Sequence, residues 1–183
     1  LFVAIAKNNE GFYELNEFLS LYLHRKEALP ERAPDFQEVF VIYPFQKYSG
    51  FDLKDHEYIG VKPEDLPKLI YPPHQMDKQK LVILATWTFR NKIENGQPKL
   101  LKRDFNAHRL LRAIDNNTLL SKLPKSEQGS EGDFLYPPET LNERYAAYPY
   151  MWENSQKLID QCHINFEFGT DKPHKNLQTY TGS

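Results

Sequence analysis

One apolar run constrains this chain more than any other feature: Lys80-Leu81-Val82-Ile83-Leu84-Ala85-Thr86, with β-branched Val82 and Ile83 at its centre. The run does not alternate apolar with polar, so a strand built from it must be covered on both faces. That is the requirement of a parallel strand inside an α/β fold. The run leads into Trp87-Thr88-Phe89-Arg90, then a polar loop with Gly96 and Pro98, and then a helix opening at Asp104. In α/β folds the ends of such strands are where ligand sites assemble. Thr88 and Arg90 are therefore the first residues to weigh.

The rest of the chain alternates strands with helices, which argues for an α/β architecture. Strands are predicted over Leu1 to Ala6, Glu38 to Phe45, Glu57 to Val61, Lys80 to Thr86 and Asn165 to Phe168. Helices are predicted over Glu10 to Arg25, Pro63 to Ile70, Asp104 to Asn116, Pro138 to Ala146 and Tyr150 to Gln161. Asp104 can cap free amides at the start of its helix, and Pro63 suits a first helical turn. Pro72-Pro73 stops the second helix, and Ser126 to Gly132 reads as a loop. There is no internal repeat and no low-complexity segment.

Composition narrows the function classes. A chain of 183 residues with 40% hydrophobic residues supports one domain with a real core. The net charge of -2 and a pI near 6.3 provide no global basic field to attract nucleic acid. A single cysteine excludes an intrachain disulfide and suits a reducing cytoplasm. No apolar run reaches the roughly 18 residues of a membrane span, and the first residues lack the features of a signal peptide.

The run at Leu81 and the helix at Phe105-Asn106-Ala107-His108-Arg109-Leu110-Leu111-Arg112-Ala113-Ile114 resemble the PHP (polymerase and histidinol phosphatase) domain of bacterial DNA polymerase III alpha subunits. In metal-binding members of that family the strand runs into Thr-Asn-Asp-x-His, whose Asp and His bind metal. Here Thr86 is kept, Trp87 stands for the Asn, Thr88 for the Asp and Arg90 for the His. Near the start, Phe2 to Phe12 with Leu15, Leu19 and Ser20 resemble the family's strand, Ala-Lys-Asn turn and helix. Near the end, Tyr136, Pro138-Glu139-Thr140-Leu141, Tyr148-Pro149, Asn154, Ile159 and Cys162 are similar to its last helical pair. The likeness is collinear over about Leu1 to Phe168 and weakest across residues 29 to 75.

The resemblance implies part of a distorted β/α barrel of PHP type, with its N-terminal strands missing. It places the C-terminal part of a PHP domain at residues 1–168 and a linker towards a polymerase core at 169–183. A family PHP domain begins with His-x-His and Thr-Asp-His ligand motifs, which do not occur here, so the chain reads as a fragment of a longer enzyme. The implied function is that of a bacterial DNA-directed DNA polymerase of the replicative alpha type. This segment would be a degenerate, non-catalytic scaffold, with no cofactor of its own and magnesium serving the parent polymerase. Implied partners are the remainder of the polymerase chain, other replisome subunits and, through the parent, DNA. The alternative is a metal-dependent phosphoesterase or 3'-5' proofreading exonuclease domain, in which metals activate water.

Each candidate residue has a plain reading beside its chemical one. Thr88 and Arg90 cannot replace a carboxylate and an imidazole, because arginine stays protonated and offers no lone pair to a metal. Arg90 either supplies the charge a metal would have brought, paired with an acid from outside this segment, or is an ordinary surface arginine. His24 lies one residue from a family ligand position, but such an offset turns a helical side chain by about 100°. A histidine also sits well at a helix C-terminus for electrostatic reasons alone. His108 shares a helix face with Phe105 and Leu111, so it is expected to be a packed histidine with one hydrogen-bond partner. Lys99, Lys102, Arg103, Arg109 and Arg112 cluster around Phe105. They either touch DNA backbone or form a solvated surface interrupted by Asp104. Cys162, beside Leu158 and Ile159, reads as a buried thiol rather than a nucleophile.

Overall fold

The computed structural model describes residues 2–95 and 97–166. Four strands form one mixed sheet in the order β1 (Val3–Ala6), β2 (Val39–Pro44), β3 (Glu57–Val61) and β4 (Leu81–Ile83). β1 runs antiparallel to β2, with Ile5 opposite Phe40. β2, β3 and β4 are parallel, with Tyr43 beside Ile59 and Ile59 beside Leu81. The apolar run at Leu81 therefore does form a parallel strand, although its ladder stops at Ile83 instead of reaching Thr86.

Strand periodicity divides the core between two faces. Val39, Val41 and Tyr43 face α1 (Asn9–Arg25), whose Leu15 and Phe18 pack on them, and the layer continues through Ile59, Val61 and Leu81. Phe40, Ile42 and Val82 point the other way, onto Leu158 of the last helix. β1 and β4 are the sheet's edges, and the edge of β4 is covered. Ser155 Oγ accepts from Ile83 N at 2.9 Å and Asn154 Nδ2 donates to Leu81 O at 2.9 Å. Both side chains replace strand partners on an otherwise open ladder.

α1 starts where Asn8 caps it, its side chain accepting from Gly11 N at 2.9 Å. Gly11 lies against the chain at Glu38, so closely that a Cβ there would run into Glu38 O. Beyond the sheet come the hairpin β5 (Asn91–Glu94) and β6 (Gln97–Leu100), then α2 (Lys102–Asp115), α3 (Pro138–Tyr145) and α4 (Pro149–Asp160). Buried Tyr145 ties α3 to the sheet by donating from its hydroxyl to Val61 O at 2.6 Å. No helix among the described residues is long and apolar enough to cross a membrane.

Several expectations need correction. The segment Pro63–Ile70 is a run of 3-10 turns, because Pro67 inside it has no N–H for an α-helical bond. The loop around Gly96 is the β5–β6 hairpin, with Asn95 in the left-handed region at φ 54°. α2 begins at Lys102 after Leu101, and no side chain caps it, so Asp104 sits inside the first turn rather than at its cap. Asn165 and Phe166 are not in a strand, and the rest of that predicted strand and the predicted linker lie outside the described residues. Among the described residues the sheet is open, with no closed barrel.

Candidate functional site

Thr88 and Arg90, which the resemblance sets at ligand positions, lie on an extended segment that leaves β4 and docks against residues 133–135. Thr88 N and Phe89 N both donate to Asp133 O, at 2.8 and 3.0 Å, and Leu135 N donates to Phe89 O at 3.0 Å. Phe89 is thereby pressed into the core while Thr88 and Arg90 stay exposed. Arg90 grips Asp104 in a two-pronged contact, Nε to Oδ2 at 2.8 Å and Nη2 to Oδ1 at 2.9 Å. The guanidinium holds the Asp104 carboxyl below its ordinary range, and the carboxylate raises Arg90 in turn. The acid that pairs with Arg90 thus comes from the first turn of α2 in this chain, not from outside it. A hydroxyl and an already paired guanidinium do not fit a divalent metal. Among the described residues no three His, Cys, Asp or Glu side chains stand close enough together to hold one.

The other candidates separate clearly. His24 is exposed in the last turn of α1, next to Arg25. His108 is half-buried: Nε2 accepts from Gly129 N at 3.2 Å, and its ring stands edge-on to Phe89 with centroids 5.4 Å apart. That acceptor role leaves the ring proton on Nδ1. Its expected companion Leu111 is 65% exposed, so the buried face of α2 runs through Phe105, His108 and Ala113 instead. Cys162 is half-buried and its thiol donates to Leu158 O at 3.3 Å, while burial pushes its pKa up, away from thiolate chemistry.

Of the basic cluster, the structure brings Lys99, Lys102 and Arg109 to one groove of about 650 Å³ between the hairpin and α2. Lys92, Asn106 and Phe105 line it with them, as do Glu94 and Glu131. Lys92 and Lys99 are direct cross-strand partners, an arrangement that costs stability unless an anion lies between them. Glu94 is that anion, 3.4 Å from Lys92 and 2.8 Å from Lys99, and the two cations hold its carboxyl below the usual range. Arg103 and Arg112 do not line the groove. Arg112 is occupied by Asp115 at 2.6 Å and by Glu127.

Lys92 does not stand out in the sequence, because the polar stretch expected to be a loop is the hairpin that lifts it beside Lys99. Asn95-Gly96, a two-residue turn signal, could have revealed it. Three buried carboxylates, Glu57, Asp65 and Asp133, were not singled out either. Glu57 accepts from Tyr43 Oη and Lys54 N, each at 2.9 Å, and from Arg32 at 3.3 Å. Asp65 accepts from Gln46 at 2.9 Å and Lys68 at 2.7 Å. Glu57 and Asp65 are thus buried carboxyl groups whose hydrogen-bonding needs are met within the fold.

No family model matches the chain, and no solved structure matches it. Two curated proteins do. The DNA polymerase III subunit alpha of Neisseria meningitidis serogroup B is 32% identical over 66 residues, 36% of this chain and 6% of that protein. Its counterpart in serogroup A is 29% identical over 66 residues, with the same coverage. The match thus spans a small part of those relatives' length, and over that stretch the chain is similar to the alpha subunit of DNA polymerase III.

Proposed function

We propose that this chain is a segment of a bacterial replicative-type DNA polymerase alpha subunit, namely a degenerate PHP-type region that acts as a scaffold and not as a metal-dependent hydrolase. The likeness to two polymerase alpha subunits supports the parent activity. The observation that carries the scaffold reading is the fork between Arg90 and Asp104. At the end of the parallel strand, where relatives of the PHP type would present a carboxylate and an imidazole, this chain presents a closed ion pair. The open four-stranded sheet is compatible with part of a distorted β/α barrel whose other strands come from a preceding segment.

In this reading nucleotidyl transfer takes place elsewhere in the parent chain, in the cytoplasm. Magnesium would be held there by the polymerase's own carboxylates and would stabilise charge on the transferring phosphate. The segment's own work is mechanical: to present a packed α/β layer to the remainder of the polymerase and to other replisome subunits.

The test is metal and hydrolysis analysis of the full-length parent. Zinc and manganese binding is measured by equilibrium dialysis with anomalous diffraction, and hydrolysis is followed on phosphomonoesters and on DNA 3' ends. The expected result is no transition metal beside Arg90 and no hydrolysis attributable to this region. A metal cluster at Arg90, with exonuclease activity lost on removing it, would establish the phosphoesterase or proofreading alternative instead.

A further inference from the structure

We infer that the groove between the β5–β6 hairpin and α2 binds the phosphodiester backbone of single-stranded DNA, with Lys92, Lys99, Lys102 and Arg109 as its contacts. The inference rests on the polymerase reading for the choice of DNA as the polyanion, and on the groove's own construction for everything else.

Four cations reach one groove from three places: β5, β6 and two turns of α2. They outnumber the two carboxylates that line it, Glu94 and Glu131, in a chain whose net charge is -2. Positive charge is thus concentrated against the molecule's overall balance. The cross-strand pair Lys92 and Lys99 is the second observation. Such a pair is unfavourable alone, and here it shares a single anion, Glu94, that lies on the surface and is open to exchange. A phosphate entering the groove can take the place that Glu94 holds between the two ammonium groups.

Arg109 is the third observation. Its Nε is buried without a hydrogen-bond partner, and its guanidinium lies 5.8 Å from the centre of the Phe105 ring. A guanidinium held over an aromatic ring in the wall of a groove is suited to a planar or tetrahedral oxyanion. Asn106 adds an amide on the same wall. These groups contact charge and offer no pattern for reading bases, so the binding they support is independent of sequence.

The experiment uses the full-length parent chain and a fluorescein-labelled oligothymidylate, with affinity measured by fluorescence anisotropy across a salt series. Lys102→Glu and Arg109→Gln should each weaken binding about tenfold and lower the slope of log affinity against log salt by about 0.7 per lost phosphate contact. Arg103→Glu changes the same charge on the same helix outside the groove, and it should leave affinity within about twofold. Circular dichroism melts verify that each variant is folded, and Lys99→Gln replaces any that is not. Unchanged affinity in the groove variants overturns the inference, and so does an equal loss in Arg103→Glu, which would mark a diffuse field rather than a site. Binding of inorganic phosphate in the groove, measured by isothermal titration calorimetry and lost in Arg109→Gln, with no binding of the oligonucleotide, would overturn it in favour of a small anion. Absence of nucleotide incorporation would instead count against the polymerase reading, because the salt slope is read without turnover.

Discussion

Replacing His108 tests whether α2 carries structure or chemistry. In His108→Ala two contacts disappear. The edge-on packing against Phe89, itself only 4% exposed, is worth about 0.5–1.5 kcal/mol. The acceptor for Gly129 N–H is worth about 1 kcal/mol. Collapse around the gap is restricted, since Gly129 already lies close to both the Phe89 and His108 rings. The expected loss is about 2 kcal/mol, which for a domain of this size lowers the melting temperature by about 4–8 °C. His108→Phe keeps a ring against Phe89 and removes only the acceptor, so it should lose about 1 kcal/mol. The assay pairs thermal melts with primer extension by the parent chain well below its melting temperature, where extension should be nearly unchanged. Loss of extension with an unmoved melting temperature would refute the structural assignment. A melting temperature unmoved with extension intact would refute the packing argument.

Three further predictions follow from the buried and paired groups. The Asp104 carboxyl is held below its ordinary value of 3.8 by Arg90, so the pair's contribution is present above that value and is lost as pH falls through the lower, folded one. In Arg90→Ala, the Asp104 titration followed by NMR should move back up towards 3.8, and an unmoved titration would mean that Arg90 is not the cause. Tyr43→Phe removes the hydroxyl that donates to buried Glu57 at 2.9 Å and accepts from Ala33 N at 3.1 Å, and should cost about 2 kcal/mol in denaturant unfolding. Combined with Glu57→Gln it should cost less than the two losses added, and strict additivity would deny the coupling. Gly11→Ala should destabilise by about 1–3 kcal/mol because its Cβ would run into Glu38 O. A gain of about 1 kcal/mol, as helix propensity alone predicts, would show that the chain at Glu38 yields freely.

Local pattern was enough to identify most elements of this protein. The continuous apolar residues at Val39 to Tyr43 and Leu81 to Ile83 can be satisfied only by a strand covered on both sides, because every side chain then meets protein whichever way it points. α3 begins at Pro138, the expected start, while α4 begins at Pro149, one residue before the expected start at Tyr150, since a proline's missing N–H costs nothing in a first turn. Partner choice was not available at that level, because it depends on groups brought together from distant positions. Asp104 reads as a helix cap until the fold starts α2 two residues earlier, at Lys102, and sets Arg90 beside the carboxylate as its partner. Leu111 reads as core by spacing, yet helical period says only which residues share a face, and the packing of Phe89 and Gly129 turned the face of Phe105 and His108 inward. Glu57 reads as a surface acid until β2 and β3 pair and enclose it with Tyr43. Lys92 and Lys99 become one site only when the hairpin closes, because charge in a sequence is a list and an electrostatic field requires distances.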